Sequence, residues 1–372
     1  MFRGKLFKKE MMKILLVGGG TSGHILPALS IAREILRKEP NTQLLYVGSR
    51  SMADRELVTQ AGFKFVGVPA GKWRRYFDLR NLIDIFVTLI GVITALFVVI
   101  FFWPDRVLIK GGYVGVPVGL AAWLLGRKIL LHESDTVMGV ANRVLAPLSR
   151  KICVSFPLEA YEGNRKLSRK LIFTGVPINE EFYNKAIGPI SLPLTDKKPV
   201  ILVIGGSQGA HAINQLIQNT LSQLLLDYQV LHQTGAADYA GLRSWKDSND
   251  YAKDYHPIDF VSNSEMASLI KRSAVIISRA GATTAFEIAA VGRPAILIPL
   301  PGSANNHQYA NAKYLSDKGA AALLLQSEAT PAVLLERLER VVHSDMGKRL
   351  AFNIRELTNP SAAERIADEL LQ

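Results

Sequence analysis

The sequence predicts an α/β protein made of two parallel sheets, and three observations carry that reading. Short apolar runs bounded by glycine and proline recur along the chain, the pattern of strands covered on both faces. A strand, then Gly-Gly-[Ser/Thr]-x-Gly, then a helix occurs twice, at Gly19-Gly20-Thr21-Ser22-Gly23 and Gly205-Gly206-Ser207-Gln208-Gly209. Between these repeats, Ala186–Lys198 is rich in proline and polar residues and lacks periodicity, so it reads as a linker. Two Rossmann-like halves, each opening on a glycine loop, would then face each other across a cleft, an arrangement that would serve a two-substrate transferase well. A chain of 372 residues suits two domains, and 48% hydrophobic with 20% charged residues supports packed cores rather than disorder.

Taken in order, the first residues, MFRGKLFKKE, form a basic arm without the apolar core or cleavage site of a signal peptide. They read as a disordered arm or a weak membrane-surface contact, and Met11 and Met12 offer alternative starts. Lys13–Val17 is a strand feeding Gly18–His24 and an amphipathic helix to about Leu36. The loop formally contains G-x-G-x-x-G, the dinucleotide fingerprint. The second strand, Gln43–Val47, ends in Gly48-Ser49-Arg50 with no carboxylate for a ribose; Arg50 suits a 2′-phosphate, which keeps an NADP-binding protein as a competing reading. His24, opening the helix, fits acid–base or phosphate chemistry better.

After a third strand, Lys64–Val68, the cations Lys72, Arg74 and Arg75 interleave with aromatics, and Leu82–Phe102 follows with Asp84 as its one charge. Its length and apolarity pass the threshold for a membrane span. The strands on either side should share one sheet, however, and basic residues flank both ends, giving no positive-inside bias. The expectation is a monotopic helix or helical pair dipping into the cytoplasmic leaflet, with Lys72, Arg74 and Arg75 on anionic headgroups. Arg106–Ile109 leads into Lys110-Gly111-Gly112-Tyr113, and Lys128–Leu131 into His132-Glu133-Ser134-Asp135. Loops at the carboxyl ends of parallel strands share one edge, so Gly20–His24, Gly112–Tyr113 and His132–Asp135 should converge as an acid–base cluster. The competing view is that Glu133 and Asp135 cap the following helix. The single cysteine, Cys153, has no disulfide partner in the chain and reads as core in a reducing compartment.

In the second half the expected strands are Pro199–Ile204, Gln229–His232, Ile258–Val261, Ala274–Ser278, Ala295–Pro299 and Ala320–Leu325. The organisation is thus an arm over 1–12, domains over 13–185 and 199–358, a linker over 186–198 and a C-terminal helix over 359–372, expected to pack back on the first domain. The turn Ala280–Thr284 carries only small side chains and opens a helix, whose free N–H groups and dipole favour an anion. Glu287 lies one turn in, placed to accept hydrogen bonds from two vicinal hydroxyls, so phosphate and ribose together point to a nucleotide-sugar site. An ordinary βαβ turn with a capping threonine gives the same pattern. The net charge of +12 calls for an anionic partner, and with no nucleic-acid-binding motif, anionic lipid and phosphorylated substrates rank first. There is no Asp-x-Asp and no Cys/His cluster with zinc spacing, so no metal is expected; helix dipoles, N–H groups and cations must meet the charge of a leaving diphosphate.

The segments GGGTSGH, GGY, HESD, GGSQGA, SRAGATTAFE and NNHQYANA, in that order and spacing, resemble the MurG family from about Met12 to the C-terminal helices. The resemblance implies a GT-B fold and an inverting, metal- and cofactor-free transfer of N-acetylglucosamine from UDP-N-acetylglucosamine. The acceptor would be the muramyl 4-hydroxyl of undecaprenyl-linked lipid I, giving lipid II for peptidoglycan at the cytoplasmic membrane face. It further implies substrate contacts at Thr21, Ser22, Gly23, Tyr113, Asp135, Ser207, Val261 (uracil), Ala282, Thr283, Thr284, Ala285, Phe286, Glu287 and Gln308. His24 or Glu133 would take the acceptor's proton, and the acceptor pyrophosphate would rest on Gly20–His24. Asp135 stands where the family more often has asparagine, Ser22 for a usual glycine and His307 for the first of two glutamines. Asn179, in Gly175-Val176-Pro177-Ile178-Asn179, stands where an arginine is expected, with His24 or Arg279 to compensate. A transferase making a glycolipid from diacylglycerol is the alternative within the same fold.

Overall fold

The computed structural model describes residues 11–71, 80–164, 167–206 and 209–372. The basic arm up to residue 10, the cations Lys72, Arg74 and Arg75, and Ser207 lie outside the described residues. In the first half, β1 (Lys13–Gly18), β2 (Gln43–Gly48), β3 (Phe65–Gly67), β4 (Arg106–Gly111), β5 (Lys128–Glu133), β6 (Lys151–Val154) and β7 (Leu171–Phe173) form one parallel sheet, ordered β3-β2-β1-β4-β5-β6-β7. Its helices are α1 (Ser22–Lys38), α2 (Met52–Gln60), α3 (Arg80–Phe102), α4 (Gly115–Leu124) and α5 (Val140–Leu145).

The second half repeats the plan. Strands β8 (Val200–Ile204), β9 (Gln229–Gln233), β10 (Tyr255–Ile258), β11 (Val275–Ser278), β12 (Ala295–Leu297) and β13 (Ala322–Leu323) are parallel, ordered β10-β9-β8-β11-β12-β13. They alternate with α6 (His211–Asp227), α7 (Ala236–Asp247), α8 (Asn263–Arg272), α9 (Ala282–Val291), α10 (His307–Asp317) and α11 (Pro331–Val342), before α12 (Asp345–Glu356) and α13 (Ala362–Leu371) close the chain.

Each central strand is buried on both faces, as its unbroken apolar run predicts. Leu15 and Val17 of β1 enter the core that faces the second half, while Ile14 and Leu16 enter one closed by α1 and α13. The first of these cores runs on into Leu202, Ile204 and Phe286, and Phe156 meets Phe286 edge-on with ring centroids 5.0 Å apart. α13 lies against α1, burying Ile366, Ala367 and Leu370, and Lys38 bridges Asp368 at 2.5 Å and Glu364 at 3.0 Å.

Two differences from the sequence reading have clear causes. β6 and β7 carry no periodic signal because they span only four and three residues. The strand expected at Ile258–Val261 lies three residues earlier, at Tyr255–Ile258. Its Pro257 looks like a breaker, but β10 is an edge strand, where a residue without an N–H is tolerated. The apolar segment is one continuous helix, α3, seated through Gly91, Ala95 and Val99 against α4 and the carbonyl of Pro69. A Cβ on Gly91 would collide with that carbonyl. Its other face stays open: Ile83, Phe86, Ile90, Ile93, Phe97 and Phe101 are all exposed. Trp103, at φ 50°, ends the helix, with Arg127 stacked 4.3 Å from its ring centre.

Candidate functional site

In both sheets the strand order reverses between the first and fourth strands, β1 and β4 in one half and β8 and β11 in the other. Loops diverge there and leave a crevice at the carboxyl ends. The two glycine loops follow β1 and β8, and the Ala280–Thr284 turn follows β11, so three singled-out loops lie at switch points.

The first-half loops meet. The Tyr113 ring covers Gly20 so closely that a Cβ there would stand 2.7 Å from Tyr113 Cε1, and Gly20 also has φ +87°. Cβ atoms built on Gly111 and Gly112 would each lie 3.4 Å from the His24 ring. That imidazole is half-buried, and its Nδ1 lies 3.1 Å from Oγ1 of Thr21, the residue preceding α1. Burial first, and the Lys110 charge next, bring His24 down to about 4, so it is neutral at pH 7.

The glycine loop is held from behind by Asp54 of α2. Its carboxylate accepts from Gly20 N at 3.0 Å, Ser49 N at 3.0 Å and Ser49 Oγ at 2.7 Å. This corrects the expectation for an acceptor pyrophosphate on Gly20–His24. Gly20 N–H is already engaged by an anion and His24 N–H donates to Thr21 O, which leaves the first-turn N–H groups of Ser22 and Gly23. The same carboxylate stands where a dinucleotide pyrophosphate needs free N–H groups, which speaks against the NADP reading.

Glu133 is 4% exposed, at the end of β5. Its Oε1 accepts from Asp135 N at 3.0 Å, and its Oε2 from Gly139 N at 2.8 Å and Asn142 Nδ2 at 2.9 Å. Burial, with the Asp135 charge adding to it, pushes its carboxyl above the usual range. Gly139 is the residue before α5, so Glu133 caps that helix and shapes its loop.

Lys110, fully buried within β4, donates from Nζ to Ser134 Oγ at 2.5 Å. Burial lowers it to about 8 against the opposing pull of Glu133 and Asp135. His132, also buried, places Nε2 3.2 Å from Gly175 O, and burial drives it well below the usual histidine range. Cys153 is buried in β6, its thiol pushed up to about 12 by burial, which makes it core.

Across the cleft, Thr283 Oγ1 donates to Gly23 O at 3.4 Å, so the starts of α1 and α9 face each other. Asn311 of α10, fully buried, joins the halves: its Oδ1 accepts from Thr136 N and Oγ1, both at 3.0 Å, and its Nδ2 donates to Asp135 Oδ1 at 2.8 Å and Ala280 O at 3.1 Å. Within Ala282–Glu287, Ala282, Ala285 and Phe286 turn into the core, while Thr283, Thr284 and Glu287 are partly buried. Asn179, Thr283 and Glu287 line one cavity of about 60 Å³, with Ser30 and Arg33 from α1 and Asn263 from α8. Burial raises the Glu287 carboxyl to about 8. Val261 is buried just before α8, and Gln308 Oε1 accepts from Leu300 N at 2.9 Å. Arg279, expected with His24 as one of two groups to compensate for the arginine looked for at position 179, is spent on backbone: its Nη1 donates to Ile298 O at 3.1 Å. Of the residues shaping this site, Asp54, Lys110 and Asn311 were missed. The lone lysine in an apolar strand before paired glycines was a readable signal; Asp54 and Asn311 act through distant partners.

Residues 14–154 match the glycosyltransferase family 28 N-terminal domain, and residues 200–368 the glycosyltransferase family 28 C-terminal domain. A Clostridium kluyveri protein named UDP-N-acetylglucosamine–N-acetylmuramyl-(pentapeptide) pyrophosphoryl-undecaprenol N-acetylglucosamine transferase is 34% identical over 357 residues, covering 94% of this chain and 97% of its own. The Desulfotalea psychrophila protein of the same name is 36% identical over 364 residues, 95% of each chain. The crystal structure of Acinetobacter baumannii MurG superposes with a TM-score of 0.73 at 26% identity, covering 97% of this chain and 99% of that one. The chain belongs to the MurG family. Its two facing parallel sheets are the GT-B architecture, and the calicheamicin glycosyltransferase CalG4, at TM-score 0.71 and 16% identity over 97% of this chain and 98% of its own, shares the fold alone. At position 179, where the resemblance leads one to expect an arginine, Asn179 Oδ1 accepts from Glu181 N at 3.2 Å and caps a short 3-10 turn.

Proposed function

We infer that this chain transfers N-acetylglucosamine from UDP-N-acetylglucosamine to the muramyl 4-hydroxyl of undecaprenyl-linked lipid I, forming lipid II. The near-full-length similarity to relatives named for that reaction carries the reading. The juxtaposed starts of α1 and α9 support it, since a transferase must bring two substrates to one point. The first half takes the acceptor and the second the donor. The donor diphosphate lies on the start of α9 at Thr283 and Thr284, its ribose on Glu287, its uracil by Val261 and its sugar by Gln308. His24 is the base: its neutral imidazole stands at the cleft, whereas both oxygens of Glu133 are committed to the loop. The acceptor hydroxyl attacks the anomeric carbon from the face opposite UDP, which inverts the centre, and its proton passes to His24.

Incubation with labelled UDP-N-acetylglucosamine and either lipid I or diacylglycerol tests the reading. Label enters the lipid I product alone; transfer to diacylglycerol, or thermal stabilisation by NADP and not by UDP, would overturn it. Without an Asp-x-Asp pair the rate is expected to be the same with EDTA as with magnesium. A chelator-sensitive rate restored by magnesium would show a metal-dependent mechanism instead.

The acceptor's lipid tail calls for a membrane, and α3 supplies the surface. Its mean hydropathy of 3.0 and its length suffice for a span, but β3 before it and β4 after it belong to one sheet. The open face therefore lies along the cytoplasmic leaflet, with Trp103, Trp123 and Arg127 at one end suited to the headgroup layer. Serine at Ile85, Leu89, Phe97 and Phe101 is expected to release the protein from anionic vesicles in a flotation assay while UDP affinity holds. Retention on vesicles would place the membrane contact elsewhere.

A further inference from the structure

Under the first-half loops lies a charge that the proposed reaction does not use. Lys110 is 1% exposed in the strand Arg-Val-Leu-Ile-Lys-Gly, and its Nζ reaches Ser134 Oγ, so the ammonium sits between the carboxyl ends of β4 and β5. A buried ammonium costs several kcal/mol unless it is paired. Four groups face it: Glu133 and Asp135 from the β5 loop, which favour the charge, and His24 of α1 and His132 of β5, whose protonation it opposes. Neither carboxylate lies within 4 Å as an ion pair among the described residues. Glu133 is committed to Asp135 N, Gly139 N and Asn142, and Asp135 Oδ1 to Asn311. The ammonium is thus only partly neutralised, and glycines join it to His24: a Cβ on Gly18 would lie 3.5 Å from Lys110 Cβ and 3.2 Å from His24 O, while Gly111 and Gly112, next in the chain after Lys110, pack against the His24 ring. His24 itself is faced by Asp54 of α2 and by Asp135, which pull the other way.

We propose that Lys110 is a positioning residue whose buried charge adds to burial in opposing protonation of the His24 imidazole, the group that takes the acceptor's proton, while its bond to Ser134 fixes the β5 loop. The catalytic half of this statement rests on the reading of His24 as the base; the effect on protonation does not. The same charge weakens the imidazole as a base, and an acceptor carrying a diphosphate offsets this by bringing negative charge to the adjacent start of α1.

The test is an NMR titration of the His24 ring in the wild type, Lys110→Met and Ser134→Ala, beside the pH dependence of kcat. Methionine fills the lysine's space without its charge, and alanine at 134 removes the hydrogen bond but leaves the charge. In Lys110→Met the His24 midpoint should rise by on the order of one unit, the usual effect of removing a nearby like charge. Ser134→Ala should leave it in place. The acid limb of kcat should move up with the midpoint in Lys110→Met, with KM for UDP-N-acetylglucosamine unchanged. A midpoint unmoved in a folded Lys110→Met protein, or moved equally by Ser134→Ala, overturns the proposal. A midpoint that rises while the acid limb stays still supports the effect of Lys110 on His24 and removes His24 as the base.

Discussion

Replacing His24 with alanine is expected to lower kcat by a factor of about 10²–10⁴, the usual range for loss of a positioned general base, with little change in KM for the donor. The expectation follows from position. His24 lies in the first turn of α1 on the first-half side of the cleft, against Gly111 and Gly112, and its ring nitrogen is neutral at pH 7 because burial and Lys110 oppose protonation. Steady-state kinetics at saturating lipid I, with UDP binding measured separately, make the distinction. A variant that turns over normally once donor is saturating would assign His24 to donor binding. Glu133→Gln is the necessary comparison. It removes an acceptor from a carboxylate that holds Asp135 N and Gly139 N, so it should lower the thermal midpoint as well as the rate. A rate loss without a stability loss would return Glu133 to the list of candidate bases.

Glu287→Ala should weaken UDP-N-acetylglucosamine binding by about 1.5–3 kcal/mol, the value of hydrogen bonds to a charged group, with the fold retained. Calorimetry checks it, and an affinity unchanged within error removes the residue from the site. The pH dependence adds an independent signature. Glu287 titrates at about 8 in the folded protein against 4.5 as a free side chain, because burial disfavours its ionised form. The folded state therefore holds this proton more tightly than the unfolded chain. Its contribution to stability is fully present below pH 4.5 and is lost as the pH rises to about 8. Ribose hydroxyls donating to the carboxylate favour the ionised form, so binding below pH 8 releases a proton. Affinity should consequently climb as the pH approaches 8 and level off above it, and Glu287→Gln should flatten that dependence.

By itself the sequence determined the parts whose causes are local. The buried strands show as apolar runs because both faces of a parallel sheet are covered, and the glycine loops show because Gly20 and Gly206 hold φ of +87° and +84°, which side chains resist. The order of the motifs carried the family, and the loops following β1, β4, β5 and β11, expected to converge from their places after strands, do meet. What only the tertiary structure decided was which polar groups remain free for a ligand. Gly20 N–H reads as a phosphate donor until Asp54, 34 positions away, is seen to occupy it, and Glu133 reads as a base until its three hydrogen-bond donors are counted. Asn311 joins Asp135 across 176 positions, a contact no periodicity encodes. The same holds for α3: its apolarity is written in the chain, but only the pairing of β4 with β1, and through it with β2 and β3, ties both ends of the helix to one sheet, where one of its faces packs on α4. Local pattern sets the backbone, because dihedrals and burial are decided residue by residue; the availability of a donor, an acceptor or a charge depends on neighbours that only folding brings together.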